Sequence, residues 1–376
     1  MTRVGPSTPM GGLMRRYWQP IAASAELQAN PVKAIQVLGE SLTLYRDRSG
    51  ALGLVGAFCA HRHTALAYGM PEERGLRCPY HGWMYDAQGR CVEQPAEPPE
   101  SNFRDRIQIP AYPVQELGGL IFAYLGPAPA PLLPRYNVLA WDNAMREING
   151  TLVPANWLQV IENLLDPYHV EFLHGHYFEY ILRRKGGGQL EEFLAGHMPP
   201  HMKRTDFDLF QNGIIERHYV ESENEESWQI GAPIFFPNVN LMMSPGGIGT
   251  AIFVVPLDDT HTWFVLYLAQ RAAMPLPPQD PVPFYDAPGT DENSRFMLDS
   301  ANGQDHMAVV TQGEIAPRDL EHLAASDAGI IAYREMLMEQ LGRVERGEDP
   351  INVHREPALN EIIDPPMILR SPRASA

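Results

Sequence analysis

The sequence predicts an α+β protein in two parts, a small all-β N-terminal domain followed by a larger domain in which an antiparallel sheet carries helices. Three observations predict it. Residues 34–124 break into short β-prone runs separated by tight turns. Pro127, Pro129, Pro131 and Pro134 then crowd the stretch from Gly126 to Pro134, a joint that separates residues 1–134 from 135–376. Beyond the joint, longer strand-like runs alternate with segments long enough for helices.

In chain order, Met10 to Trp18 sets Leu13, Met14, Tyr17 and Trp18 beside Arg15 and Arg16, which predicts a short helix packed on the body. Strands follow at Ala34–Leu38, Leu42–Arg46 and Leu52–Phe58, joined by turns at Gly39-Glu40 and Asp47–Gly50. Gly82–Tyr85, Ile107–Tyr112 and Leu120–Tyr124 continue the pattern. In the second part, a strand is expected at Arg146–Val153 and a helix at Trp157–His174. Further strands are expected at Gly213–Glu221, Asn238–Met243, Thr250–Pro256 and His261–Ala269. Met274 to Gly289 is rich in proline and has no regular pattern. Two late helices are expected, Ser294–Gln312 and Ser326–Arg346, the second with Ser326 as N-cap and Ile330, Leu337, Leu341 and Val344 along one side.

Composition narrows the function. The 376 residues carry a formal net charge of −17 without long acidic blocks, which disfavours a nucleic-acid surface and suits a complementary redox partner. No apolar run follows a basic start and none reaches the length of a membrane span, so neither a leader nor a span is expected. Three cysteines are too few for a disulfide scaffold and fit a reducing cytoplasm.

The strongest chemical signal is Cys59-Ala60-His61, followed after sixteen residues by Cys78-Pro79-Tyr80-His81. Each loop offers one thiolate and one imidazole. A Rieske [2Fe–2S] cluster needs this set, Cys59 and Cys78 on one iron and His61 and His81 on the other. A structural zinc site would pair cysteine with cysteine and histidine with histidine along the chain. Cys91 is left over and reads as a small buried hydrophobe.

The second signal runs from Asn163 through Asp166 and His169 to His174. His169 and His174 are five residues apart, about 140° around a straight helix, so they share an ion only if the helix bulges or ends between them. Two histidines and a distant carboxylate make the facial triad of a non-haem Fe(II) site with open positions for O2. Asp305, on a predicted late helix, is the candidate carboxylate; Asp299 and Asp291 are alternatives. His176 reads as surface or supporting, and His63 matches neither loop's pairing.

With C-x-H…C-x2-H at Cys59, His61, Cys78 and His81, and D-x2-H-x4-H at Asp166, His169 and His174, the chain resembles the catalytic α subunit of the Rieske non-haem iron ring-hydroxylating oxygenases over nearly its whole length. Tyr80-His81-Gly82-Trp83, Gly126-Pro127 and Arg318 to Arg334 resemble the phthalate-dioxygenase-like branch. The resemblance implies a helix-grip catalytic domain, a homotrimer, and an Asp166 that bridges one subunit's cluster to its neighbour's iron. It also implies that Asn163 lies near the iron. Electrons would come from NAD(P)H through a separate flavin and iron–sulfur reductase, with or without a ferredoxin, since no dinucleotide fingerprint follows a strand here.

The expected activity is insertion of oxygen from O2 into a small aromatic substrate, an aromatic carboxylate by the branch's habits, with oxidative O- or N-demethylation as the alternative. Arg183, Arg184 or Lys203 would meet the carboxylate, and Phe235, Phe236, Asn238, Val239, Met242, Phe253 and Trp263 would line the pocket. A rival of another class is a non-enzymatic Rieske electron carrier with a ligand-binding domain, which would have no use for His169, His174 and Asp305.

Overall fold

The computed structural model describes residues 1–185, 202–222, 225–231, 233–244 and 246–366. Thr8 caps the first helix, Pro9–Met14, whose Leu13 and Met14 are fully buried. Three small antiparallel sheets follow. One joins Gln19–Ala23, Leu120–Ala123 and Val114–Leu117. The second orders Val32–Val37, Glu40–Arg46, Leu52–Gly56 and Ala111–Tyr112, and the third Met70–Glu72, Gly75–Arg77, Met84–Tyr85 and Cys91–Glu93. The expected strand at Ile107–Tyr112 is split: Gln108 bridges Arg90, Pro110 has no N–H to give a ladder, and only Ala111 and Tyr112 join the strand Leu52–Gly56. The cysteine–histidine loops leave from Leu52–Gly56 and from the hairpin formed by Gly75–Arg77 and Met84–Tyr85.

The larger sheet runs Met202–Phe210, Gly213–Ser222, Ile234–Phe235, Val239–Ser244, Ile248–Pro256, Thr262–Arg271 and Ala144–Val153. Glu225–Ile230 pairs with Gly213–Ser222 further along, and Phe284–Asp286 lies parallel to Ala144–Val153, inside the stretch the sequence left irregular. Met202–Phe210 and Glu225–Ile230 were not expected, since charged and polar residues hide their alternation.

Alternation gives this sheet two different faces. Tyr267 Oη donates to Gly118 O, Phe253 packs on Phe122 and Tyr136, and Phe235 packs on Tyr136, so this face lies against the N-terminal part. The other face carries the helices: Thr262 Oγ1 donates to Ala155 O, and Phe207 lies against Gly329. Phe235, Val239, Phe253 and Trp263 therefore face away from the helices, a correction to the expected pocket lining; of the strand residues in that set, Met242 shares the helix-bearing face. Phe236 packs between Tyr17 and Tyr333, and Asn238 donates to Gln19 and to Val254 O.

The expected helix from Trp157 to His174 is interrupted. Trp157–Leu165 ends at Asp166 because Pro167 cannot continue the ladder. Tyr168–Glu171 then passes into a π-helical turn, Phe172–Tyr177, and Phe178–Lys185 follows. Two later helices, Ala301–Val310 and Ala328–Glu345, pack on the same side; the second is entered from Asp327 rather than capped by Ser326. Among the described residues, no helix is long and apolar enough to cross a membrane.

Candidate metal centres

The two cysteine–histidine loops repeat one backbone design. Cys59 O accepts from His63 N and Cys59 N donates to Thr64 O; Cys78 O accepts from Gly82 N and Cys78 N donates to Trp83 O. The residue four after each cysteine is left-handed, His63 at φ 59° and Gly82 at φ 76°. His63 is therefore the counterpart of Gly82, and it is held by stacking on Phe58 at 4.2 Å. That placement explains a histidine that fits neither pair of ligands.

Cys59 and Cys78 are buried, whereas His61 is exposed and its ring centroid lies 4.6 Å from that of His81. Two buried sulfurs facing two outward imidazoles suit a cluster whose cysteine-held iron is inside and whose histidine-held iron is at the surface. Burial raises the Cys78 thiol, opposed by backbone N–H groups of Tyr80 and His81. Burial, then the positive charge of His61 and Arg62, lowers His81, which favours the neutral ring a metal needs. Tyr85 Oη lies 3.2 Å from Cys59 Sγ, and Trp83 stacks on His61 at 4.6 Å. Cys91 sits buried nearby with its thiol pushed up to about 11 by burial, and no ligand loop includes it.

The second group forms where the π turn lies. The extra residue in that turn brings His174 round to the side of His169, and their rings sit 5.1 Å apart, edge to face. Helix Ala301–Val310 delivers Asp305 opposite them: Oδ1 is 3.6 Å from His169 Nε2 and 3.1 Å from His174 Nε2. The three ligand atoms lie within 4.8 Å of one another. Two nitrogens and one carboxylate oxygen converging so closely fit a mononuclear iron with open positions. Asp299 instead pairs with Lys185, and Asp291 closes a turn onto Asn293 and Arg295.

The supporting contacts orient these groups. Asn163 Nδ2 donates to Asp305 Oδ1 at 3.2 Å, and His174 Nδ1 lies 2.8 Å from Gln304 Oε1. Burial opposes protonation of His174, but Asp305 and then Gln304 outweigh it and raise its pKa. Gln304 was missed by sequence reasoning; its place immediately before Asp305 was the available signal. His169 Nδ1 is bonded to the main-chain oxygen of Asp166, while the Asp166 carboxylate stays 4.0 Å away and accepts from Tyr168 N. The backbone of Asp166, not its carboxylate, thus orients the His169 ring, because Asp166 terminates its helix and turns its carbonyl towards it. Burial first raises the Asp166 carboxyl, and Asp327 adds to it. His176 is exposed, in keeping with a surface role.

One charge cluster backs the site. Glu162, beside Asn163, accepts from Arg318 and Arg334, and both arginines also reach Glu321. Arg183 pairs with Glu179 on its own helix, and Arg184 lies over Tyr180, so neither is aimed at the triad. The Lys203 side chain lies outside the described residues.

Comparison with known proteins matches this geometry. The Rieske [2Fe–2S] domain family matches residues 17–113, and the vanillate O-demethylase oxygenase C-terminal domain family matches residues 153–342. The 5,5′-dehydrodivanillate O-demethylase oxygenase subunit of a Sphingobium species is 37% identical over 98% of this chain and 85% of its own. The phthalate 4,5-dioxygenase oxygenase subunit of Pseudomonas putida is 29% identical over 93% of this chain and 87% of its own. Among solved structures, NdmA of Pseudomonas putida CBB5 with caffeine superposes with a TM-score of 0.65 at 19% identity, covering 90% of this chain and 94% of that one. The chain belongs to the Rieske non-haem iron oxygenases, as a catalytic oxygenase subunit whose cofactors are a Rieske [2Fe–2S] cluster and a mononuclear iron.

Proposed function

We propose that this oxygenase removes the methyl group of an aromatic methyl ether, with Cys59, His61, Cys78 and His81 holding the cluster and His169, His174 and Asp305 holding the iron. The observation that carries the reading is the convergence of those three side chains beside the helix-bearing face of the large sheet. The choice of demethylation rests on the demethylase C-terminal family and the 37% identical demethylase subunit. A second reading, ring hydroxylation of an aromatic carboxylate, is favoured by the phthalate dioxygenase relative. Residues 1–134 would form the cluster domain and 135–376 the catalytic domain.

When bound, the iron and cluster supply reductive activation of O2. The chain's own residues hold geometry and protons. Gln304 fixes the orientation of His174, the Asp166 main-chain carbonyl that of His169, and Asn163 that of Asp305. The net reaction consumes O2, two electrons and two protons, and converts the ether to a phenol, formaldehyde and water. A separate flavin and iron–sulfur reductase using NAD(P)H, with or without a ferredoxin, supplies the electrons in the cytoplasm. The partner surface is a head-to-tail homotrimer in which Asp166, about a third exposed, reaches the neighbour's His81.

The test is O2 uptake by anaerobically prepared, iron-loaded enzyme with a surrogate reductase and a panel of methoxylated and carboxylated arenes. One formaldehyde per O2 from a methyl ether supports demethylation. A ring diol or phenol without formaldehyde would move the assignment to hydroxylation, and no substrate-dependent uptake would return the electron-carrier reading.

A further inference from the structure

One pair of titratable groups on the helix-bearing face, a buried glutamate and a half-buried histidine, serves neither metal centre. Glu216 and His218 are two apart on strand Gly213–Ser222, so their side chains share a face. It is the face where Thr205, directly opposite His218, meets Tyr168 at 3.3 Å, the residue before His169. Glu216 is 6% exposed and His218 Nδ1 lies 2.7 Å from its Oε1. The site is built around that carboxylate: a Cβ on Gly231 would fall 2.5 Å from Glu216 Oε2. Among the described residues, Glu216 is the one hydrogen-bond partner of the His218 ring.

Chemistry fixes what such a pair receives. A carboxylate only accepts, so the hydrogen between the two groups belongs to Nδ1, and in the neutral imidazole tautomer that this bond selects Nε2 is the acceptor. Towards the centre of the sheet the same row runs Ile214, Ile234, Asn240, Ile252 and Leu266, apolar except for Asn240, whose Nδ2 donates to Pro233 O. An acceptor backed by a negative charge in a largely apolar wall favours a neutral O–H donor and opposes an anion. We propose that Glu216 and His218 form a hydroxyl-recognition subsite, in which a phenolic O–H of the substrate donates to His218 Nε2. The assignment rests on the reading of the chain as an oxygenase of small aromatic molecules.

The experiment measures binding without turnover, by calorimetry on anaerobic iron-loaded enzyme. The probes are 2-methoxyphenol and 1,2-dimethoxybenzene, which differ by one hydroxyl against one methyl ether. Wild type is expected to bind the phenol about tenfold more tightly. His218→Ala and Glu216→Gln should weaken the phenol about tenfold while leaving the ether within about threefold, so that the preference disappears. His218→Gln, which keeps a polar group of similar size, decides if the alanine variant does not fold. Equal affinity of wild type for the two probes, no binding of the phenol, or parallel loss of both probes in the variants overturns the proposal. Because neither O2 nor electrons are present, this result is independent of the turnover test: a missing formaldehyde product sinks the demethylase reading and leaves the phenol preference standing, and the reverse also holds.

Discussion

Gln304 Oε1 and His174 Nδ1 lie 2.8 Å apart, so consecutive residues of one helix orient a histidine and present the carboxylate beside it. Gln304 is 1% exposed and is fixed in turn by donating to Leu298 O. Replacing it with alanine frees the His174 ring and should weaken the mononuclear iron by roughly 10–100-fold while leaving the cluster intact. Chelator competition read by iron content, with acid-labile sulfide as the internal control, checks this. Unchanged iron affinity would make Gln304 a packing residue only.

Asp166 acts at two levels: its main-chain oxygen orients His169, and its carboxylate remains partly exposed. Asp166→Asn keeps the backbone contact. It should therefore retain both metals yet lower turnover by roughly 10–100-fold through the loss of the proposed bridge to a neighbouring subunit. Full turnover with full metal content would remove the bridge from the account.

The cluster of Glu162, Arg318, Arg334 and Glu321 ties the helix carrying Asn163 to residues more than 150 positions later. Removing one partner leaves a buried charge uncompensated, so Glu162→Gln should cost about 3–5 kcal/mol in urea unfolding. Burial raises the Glu321 carboxyl, but the Arg334 hydrogen bond and charge outweigh it and set the pKa below the ordinary 4.5. A depressed folded pKa means stability present above 4.5 and lost as pH falls through the lower folded value. The stability difference between wild type and Glu321→Gln should accordingly shrink as pH falls below 4.5. A difference independent of pH would exclude the carboxylate as its source.

Tyr85 Oη lies 3.2 Å from Cys59 Sγ, where it can donate to the sulfur as a cluster-bound thiolate, which only accepts, and would so withdraw electron density from it. Tyr85→Phe should lower the cluster's reduction potential with its spectrum preserved, as measured by protein-film voltammetry. An unchanged potential would show that the hydroxyl serves Ala60 N alone, to which it also lies at 3.0 Å.

What the sequence made legible was local. Cys59, His61, Cys78 and His81 fall in two tight loops, and the five-residue gap between His169 and His174 demanded that the helix bulge or end between them, of which the π turn supplies the first. Asp305 could be nominated, but its distance from Asp299 and Asp291 in function came only from helix Ala301–Val310 facing the π turn. The pocket lining failed because parity decides it: Phe253 and Ile252 are equally apolar, and one residue of register sends them to opposite faces. Glu216 and His218 were hidden in a strand whose existence was expected but whose partner, Met202–Phe210, was not. The arginine–glutamate cluster joins residues too far apart in the chain for any local pattern to pair them.

The measurement that tests the central claim most directly is iron, zinc and acid-labile sulfide per chain in protein purified without air, beside a His169→Ala, His174→Ala double variant. The account predicts about three irons and two sulfides in wild type, and about two of each in the variant. Two irons in both would contradict the mononuclear centre, and zinc without sulfide would contradict the cluster as well.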